Sequence, residues 1–271
     1  MTLPLLVNGL VPEHPTHAVG VGDRGLNYGD GLFETALLRD GAVRLLAAHF
    51  KRLRDGCERL GIAYPGDATL EEDIRRLVAT QRDGVLKIIV TRGSGARGYR
   101  PPAATVVTRI LAIHPLPALS GEGGLTVRWC TTRLSRNGLL AGMKHLNRLE
   151  QVLAQREWND ADIGEGLMLD TEGEVVCGTA SNLFLVRNNA LLTSDLRFCG
   201  VRGVMRAEVL RAASSMSIQT LEEPVWPEDL QDATEVFVTN AVRGIRSVVA
   251  LEGQHWKVGP MTQRLLHALE P

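Results

Sequence analysis

Residues 138–152 read GLLAGMKHLNRLEQV, and the lysine at position 144 decides how the rest of the chain is read. Only four of the 30 basic residues are lysines: Lys51, Lys87, Lys144 and Lys257. Lysine, unlike arginine, can shed its proton and form a Schiff base, so each of the four can be weighed for a chemical role. Lys51 falls on the polar side of a helical pattern. Lys87 alternates with apolar neighbours in VLKIIV, as an outward strand residue would, and Lys257 sits in the turn-like QHWKVGP. Lys144 differs, because GLLAGM before it is small and apolar and a helical pattern follows at once. Desolvation lowers an amine's pKa and makes it a usable nucleophile or base. The competing and commoner reading is a lysine at a helix start whose stem lies along apolar surface with its head in water.

Outward from that stretch, residues 46–60 place Leu46, Phe50, Leu53, Cys57 and Leu60 on one face of a 3.6-residue period. Residues 146–158, 203–213 and 261–269 carry similar patterns. Apolar runs of strand length stand at 3–7, 33–38, 85–90, 105–113, 125–129, 166–169, 182–186 and 235–239, several beside turn signals such as Asp40-Gly41 and Glu172-Gly173. Strands and helices interleave, yet pairs such as 174–177 with 182–186 read as hairpins, which argues for α+β rather than a purely parallel sheet. The string HPLPALSGEGG at 114–124, rich in proline and glycine, predicts a linker over 115–124 between domains 1–114 and 125–271. A chain of 271 residues suits two domains of about 150 each. Small-molecule sites favour the cleft between domains.

Composition narrows the function. Hydrophobic residues make up 44% and charged residues 23%, ordinary for globular chains, which excludes disordered and coiled-coil classes. A net charge of −1 removes bulk attraction to nucleic acid or anionic membrane, so the expected partner is a small molecule. Cys57, Cys130, Cys177 and Cys199 are far apart and form no CxxC pair, so they read as free thiols. The seven histidines include no HExxH, no metal is expected, and no GxSxG elbow is present. The N-terminal MTLPLLVNGLVPEHP lacks a basic segment, and no run of 18 apolar residues occurs; a cytoplasmic, membrane-free protein is expected. Gly93-Ser94-Gly95-Ala96-Arg97-Gly98 satisfies GxGxxG, but Pro101-Pro102 and ATVVTRIL follow it where a dinucleotide loop needs a helix start. The alternatives are a loop presenting Arg92, Arg97 and Tyr99 to an anionic substrate, and a solvated turn with scattered arginines.

KHLNRLEQV from Lys144 resembles the segment around the cofactor lysine of the 4-amino-4-deoxychorismate lyases. These belong to the fold-type IV pyridoxal-phosphate family, with D-amino acid and branched-chain aminotransferases. Asp23-Arg24-Gly25 followed by Tyr28-Gly29-Asp30-Gly31-Leu32-Phe33-Glu34 resembles the family's N-terminal signature, and His49-Phe50-Lys51-Arg52-Leu53 its HxxRL helix. RGSGARGY at 92–99 is similar to the lyases' substrate loop, and Gly178-Thr179-Ala180-Ser181-Asn182-Leu183-Phe184 to the strand after the cofactor lysine. The matches run in order from about residue 20 to residue 245, which makes them far more specific than any one motif.

The resemblance implies a two-domain fold-type IV enzyme, the N-terminal domain the smaller, with pyridoxal 5'-phosphate in the cleft and a homodimeric assembly. It implies that Lys144 carries the cofactor and shuttles a proton, with Thr35 assisting. It assigns Arg52, the amides of Val204 and Met205, and the turn at Asn240 and Ala241 to the cofactor phosphate, and Arg97, Tyr99 and Arg92 to substrate. The implied reaction converts aminodeoxychorismate to p-aminobenzoate and pyruvate, a step of folate biosynthesis. An aminotransferase acting on D- or branched-chain amino acids would share the cofactor residues, and a binding protein that has lost its cofactor would not keep Lys144 and Arg52. One position departs: the family's glutamate beside the pyridine nitrogen stands five residues before the asparagine of the matched strand, and here that residue is Cys177.

Overall fold

The computed structural model describes residues 3–118 and 123–269, so part of the expected linker, residues 119–122, lies outside the described residues. The chain divides into two compact units. The first comprises residues 1–117 together with Met143–Asn147. Its strands are β1 (Leu5–Val7), β2 (Gly31–Arg39), β3 (Ala42–Val43), β4 (Gly84–Thr91) and β5 (Thr108–His114), and its helices α1 (Arg24–Tyr28), α2 (Leu46–Leu60) and α3 (Asp67–Val78). They form an antiparallel sheet in the order β1-β5-β4-β2-β3.

Alternation along the central strands sorts the two faces of that sheet. Leu32, Glu34, Ala36 and Leu38 of β2, with Leu86, Ile88 and Val90 of β4, are buried on the face that receives α2. Phe33 and Thr35 of β2, with Lys87 and Ile89 of β4, lie half-buried on the other. Helix α2 matches its predicted span and buries Phe50, Leu53 and Cys57; burying a side chain such as Phe50 or Leu53 contributes about 1.5–3 kcal/mol. At Gly56 the helix comes so close that a Cβ would meet Leu32 at 2.9 Å. Helix α3 escaped the period count, although Leu70, Ile74 and Leu77 are its buried stripe.

The second unit comprises residues 118–142 and 148–271. Its strands are β6 (Leu125–Trp129), β7 (Ile163–Leu169), β8 (Val175–Gly178), β9 (Asn182–Arg187), β10 (Ala190–Thr193), β11 (Thr220–Glu222), β12 (Glu235–Asn240), β13 (Gly244–Leu251) and β14 (Gln254–His255). Its helices are α4 (Leu149–Gln155), α5 (Val204–Ser215), α6 (Pro227–Gln231) and α7 (Pro260–Leu269). The strand order is β11-β10-β9-β12-β13-β6-β7-β8, with β14 beside β13. The sheet is mixed, since β6 runs parallel to both β13 and β7. Strands β9 and β12 are covered on both sides. Phe184 and Phe237 stack at 5.0 Å beneath α5 and α7, while Leu183, Leu185, Val236 and Val238 enter the opposite core. This explains their uninterrupted apolar runs.

One expected hairpin is corrected. Residues 174–177 do not pair with 182–186: β8 pairs with β7, whereas β9 lies between β10 and β12. Nearness in sequence suggested the pairing, but the turn at Thr179–Ser181 is taken up by a buried carboxylate of β7, described below.

Candidate active site

In the first unit the segment after Met143 docks on the end of β2 that β3 leaves open. Phe33 N donates to Lys144 O at 3.0 Å, Leu146 N donates to Gly31 O at 2.9 Å, and Leu32 bridges His145. A side chain at Gly31 would collide with Val90 O and Leu146, so the glycine admits this close approach. Lys144 is thereby held half-buried, its Nζ 4.2 Å from the centre of the Phe33 ring. Thr35 follows on the same face, and Lys87, its register partner on β4, points its Nζ at the same Phe33 ring from 5.8 Å. The outward reading of Lys87 thus has the face right but misses its company: Lys87 shares an aromatic ring with Lys144, and only the strand register reveals it.

Arg52 projects from α2 to the other face of the sheet. Its Nε donates to Glu34 Oε1 at 2.8 Å and its second nitrogen to Oε2, while His49 Nδ1 meets Oε2 at 2.6 Å. Glu34 and His49 are both buried. Burial alone would raise the Glu34 carboxyl, but the guanidinium of Arg52 and the bond from His49 outweigh it and hold the pKa below the usual carboxylate range. A two-point clamp of this kind fixes the plane of the guanidinium. Glu34 was not singled out as a site residue. The available signal was an acid at an apolar strand position, with His49 and Arg52 three apart on a helix.

In the second unit three stretches converge on Asn182. It pairs with Thr239 in the sheet and donates from Nδ2 to Val201 O at 2.9 Å, while Asn240 donates to Ala180 O. Gly203, the N-cap of α5, has no room for a side chain, since a Cβ would lie 2.1 Å from Asn182 Oδ1. Helix α5 spans twelve residues and begins at Val204 and Met205 with neither a side-chain cap nor an acidic residue in its first turn. A helix start of that kind suits an anion. The neighbouring turn is preformed, because Asn240 Oδ1 accepts from Val242 N and Arg243 N at 3.1 and 2.8 Å. Gly142, the last residue of its stretch of this unit, bridges Val201, and Lys144 follows two residues later in the chain.

Cys177 is buried on β8 opposite Met168, among Cys130, Leu134, Val176 and Cys199. Burial pushes its thiol well up, so it is neutral; the Cys199 thiol is likewise pushed up to about 12, chiefly by burial. A bulge lies between Cys177 and Val175, the irregularity that would let Glu174 share the face of Cys177. The Glu174 carboxylate is nonetheless committed to Arg136 and Arg197, whose guanidinium groups both lie against the Phe198 ring. The nearby buried acid is Glu165 of β7, which sequence reasoning passed over. Its carboxylate accepts from Thr179 N at 3.1 Å, from Ser181 Oγ at 2.8 Å and from Thr179 Oγ1.

The three residues expected at substrate separate into two kinds. Arg97 and Tyr99 are exposed on the 93–99 loop. Arg92 is buried and corrects the expectation: its guanidinium donates to both oxygens of Asp30 and to Leu60 O and Gly61 O at the end of α2. Four of its five donors are taken up by the protein, which makes it an anchor of the loop. The helix that a dinucleotide loop needs is absent after Gly98 among the described residues.

Comparison with known proteins gives the family. The amino-transferase class IV model matches residues 31–251. The chain belongs to that family. This class IV chain is 47% identical to the structure of 4-amino-4-deoxychorismate lyase from Pseudomonas aeruginosa, with a TM-score of 0.92 over 98% of this chain and 97% of that one. It is 33% identical to the aminodeoxychorismate lyase of Vibrio harveyi, covering 96% of this chain and 97% of that protein. It is 34% identical to a Methanocaldococcus jannaschii protein provisionally named branched-chain-amino-acid aminotransferase, covering 97% and 94%. Pyridoxal phosphate, the cofactor that the resemblance implies, needs an amine for its aldehyde and donors for its phosphate. The class IV chain has both: an amine at Lys144, a planar donor at Arg52, and the crowded, uncapped start of α5 at Gly203. Among the described residues no helix is long and apolar enough to cross a membrane, and no group of three or more candidate ligands could hold a metal.

Proposed function

We propose that the chain is a pyridoxal-phosphate-dependent carbon–oxygen lyase that converts 4-amino-4-deoxychorismate to p-aminobenzoate and pyruvate. The observation that carries this reading is the Lys144 amine, fixed through its backbone to β2 and held over Phe33 on the face that bears Thr35 and Lys87. The cofactor, when bound, withdraws electrons from the carbon that bears the substrate's amine.

Lys144 Nζ would hold the cofactor, and as a free amine it takes the proton from ring carbon C4 of the substrate. Loss of that proton lets the C3–O bond break. The enolpyruvyl group leaves, takes up a proton and becomes pyruvate, and the remaining ring becomes aromatic, which supplies the driving force. Thr35, on the same sheet face, assists the transfer at Nζ. Arg52, oriented by Glu34, would offer its guanidinium to the cofactor phosphate, and the resemblance assigns the amides of Val204 and Met205 and the turn at Asn240 and Ala241 to the same role in the second unit. Arg97 takes a substrate carboxylate, Tyr99 flanks it, and Lys87 supplies further positive charge beside Phe33. Cys177, a neutral thiol, leaves the ring nitrogen without the family's carboxylate. A lyase tolerates that better than an aminotransferase, since its electrons depart with the leaving group. We further propose a homodimer in the cytoplasm, a reading supported by the exposed Leu149, Val152 and Leu153 along α4.

The test is Lys144→Ala. Turnover and the yellow colour of the purified protein are expected to vanish together, and borohydride is expected to fix the cofactor to Lys144 in the parent protein, as read by peptide mass spectrometry. Normal p-aminobenzoate formation by the variant would overturn the assignment.

A further inference from the structure

The N-terminal motif at 23–34 contains a buried arginine that the reaction does not use. Arg24 is 3% exposed, and its guanidinium lies over the Tyr28 ring, 4.8 Å from the centroid, with a hydrogen bond from each of its three nitrogens. Its Nε donates to Asp30 Oδ2 at 2.8 Å, and its two terminal nitrogens donate to Gly98 O and Tyr99 O at 2.9 and 3.0 Å. Asp30 is also the carboxylate that Arg92 grips. One acid therefore ties the first residue of the loop, Arg92, to the arginine that holds its far end. Burial raises the Asp30 carboxyl, but Arg92 and Arg24 together bring it below its ordinary value, so it stays charged.

The remainder of the loop is laid along the same short helix. Arg24 N donates to Gly93 O, Gly95 N donates to Gly22 O, and Asp23 bridges Ser94. At the far end Gly98 N donates to Tyr28 Oη at 3.1 Å, and the Tyr28 and Tyr99 rings meet edge to face at 5.5 Å. A side chain at Gly25 would strike Thr91 at 2.3 Å, so α1 sits directly against the strand from which the loop leaves. The result is a backbone held at both ends with its Arg97 and Tyr99 side chains left exposed. An exposed, otherwise mobile arginine loses much of its binding free energy to ordering, and a preformed backbone removes part of that cost.

We infer that Arg24, with Tyr28 and Asp30, is a positioning and specificity-determining clamp: it presets the 93–99 loop so that Arg97 meets a carboxylate of the anionic substrate. This rests on the reading of Arg97 given above. It assigns a role to the arginine and tyrosine of the N-terminal motif that no contact with cofactor or substrate requires.

The test uses the holoenzyme and a double-mutant cycle. Arg24→Ala is expected to raise KM for aminodeoxychorismate about tenfold or more, with kcat within about threefold and cofactor retention unchanged, the pattern of lost substrate binding alone. Trypsin is expected to cut the variant after Arg97 faster than the parent. In an Arg97→Ala background the same substitution is expected to add less than about twofold to KM, because the two residues act as one unit. Should Arg24→Ala fold poorly, Tyr28→Phe removes only the acceptor for Gly98 N and is expected to raise KM in the same direction. Arg24→Lys keeps the charge on Asp30 without reaching both carbonyls and is expected to fall between. If Arg97→Ala raises KM and Arg24→Ala either leaves KM alone or multiplies with it, the clamp is overturned and the reading of Arg97 stands. If Arg24→Ala raises KM but Arg97→Ala does not, Arg24 acts by some route other than Arg97, and both the clamp and the carboxylate contact of Arg97 are overturned. If neither raises it, both are overturned.

Discussion

Replacing Glu34 by glutamine keeps the shape of the side chain and removes the charge that holds Arg52. In the parent protein the two carboxylate oxygens accept two bonds from Arg52 and one from His49, all at a site with 1% side-chain exposure. Glutamine offers one acceptor and turns a donor toward groups that already donate, so the buried position no longer holds the part-buried guanidinium of Arg52 at two points. Removing one partner of a buried pair costs about 3–5 kcal/mol, and the retained amide places Glu34→Gln near the low end. At roughly 2–4 °C per kcal/mol for a chain of this size, the expected fall in Tm is about 6–12 °C. The loss also reports on function, since an Arg52 released from its clamp binds phosphate less well. Cofactor titration by absorbance is expected to show weaker retention, with KM for substrate at saturating cofactor little changed. The pH dependence has a definite sign. The folded carboxyl titrates below its ordinary value of 4.5, so the stability it contributes is complete above that pH and is lost as pH falls through the folded pKa. The Tm gap between parent and variant is therefore expected to narrow in acid. A variant with parental Tm and parental cofactor retention at neutral pH would refute the claim that Glu34 positions Arg52.

Two further substitutions separate the roles of neighbouring groups. Arg97→Ala is expected to weaken substrate by about 1.5–3 kcal/mol while cofactor retention is kept, whereas Arg52→Ala is expected to strip cofactor first; equal cofactor loss with normal substrate binding in both would sink that division. Cys177→Glu places a carboxylate where the thiol lies, and lyase activity is expected to change modestly while side transamination, read as 2-oxo acid formed from added amino acid, rises. A strong fall in lyase activity without that gain would contradict the account of the departing electrons.

What the sequence disclosed was governed by local period. Helix α2 could be read to its ends because Phe50, Leu53 and Cys57 share one face, and β4, β9 and β12 because apolar runs are dense there. Pairings between distant parts of the chain left no such trace. The segment Met143–Asn147 joins the unit of β2, more than a hundred residues earlier, and so Lys144 and Lys87 come to share Phe33. Arg92 looked like a ligand for an anion because nothing local shows that Asp30 and the end of α2 consume its donors. Glu34 and Glu165 were passed over for a related reason. A buried acid is recognised by its partners, and theirs lie on other elements, 14 to 18 residues away.

The central claim is the reaction itself, and product analysis of the purified holoenzyme supplied with 4-amino-4-deoxychorismate tests it most directly. The account predicts p-aminobenzoate and pyruvate in equal amounts, with no dependence on an added 2-oxo acid and only slow amino-group transfer from D-alanine or branched-chain amino acids. Rapid transfer from those amino acids, with no p-aminobenzoate formed, would contradict it.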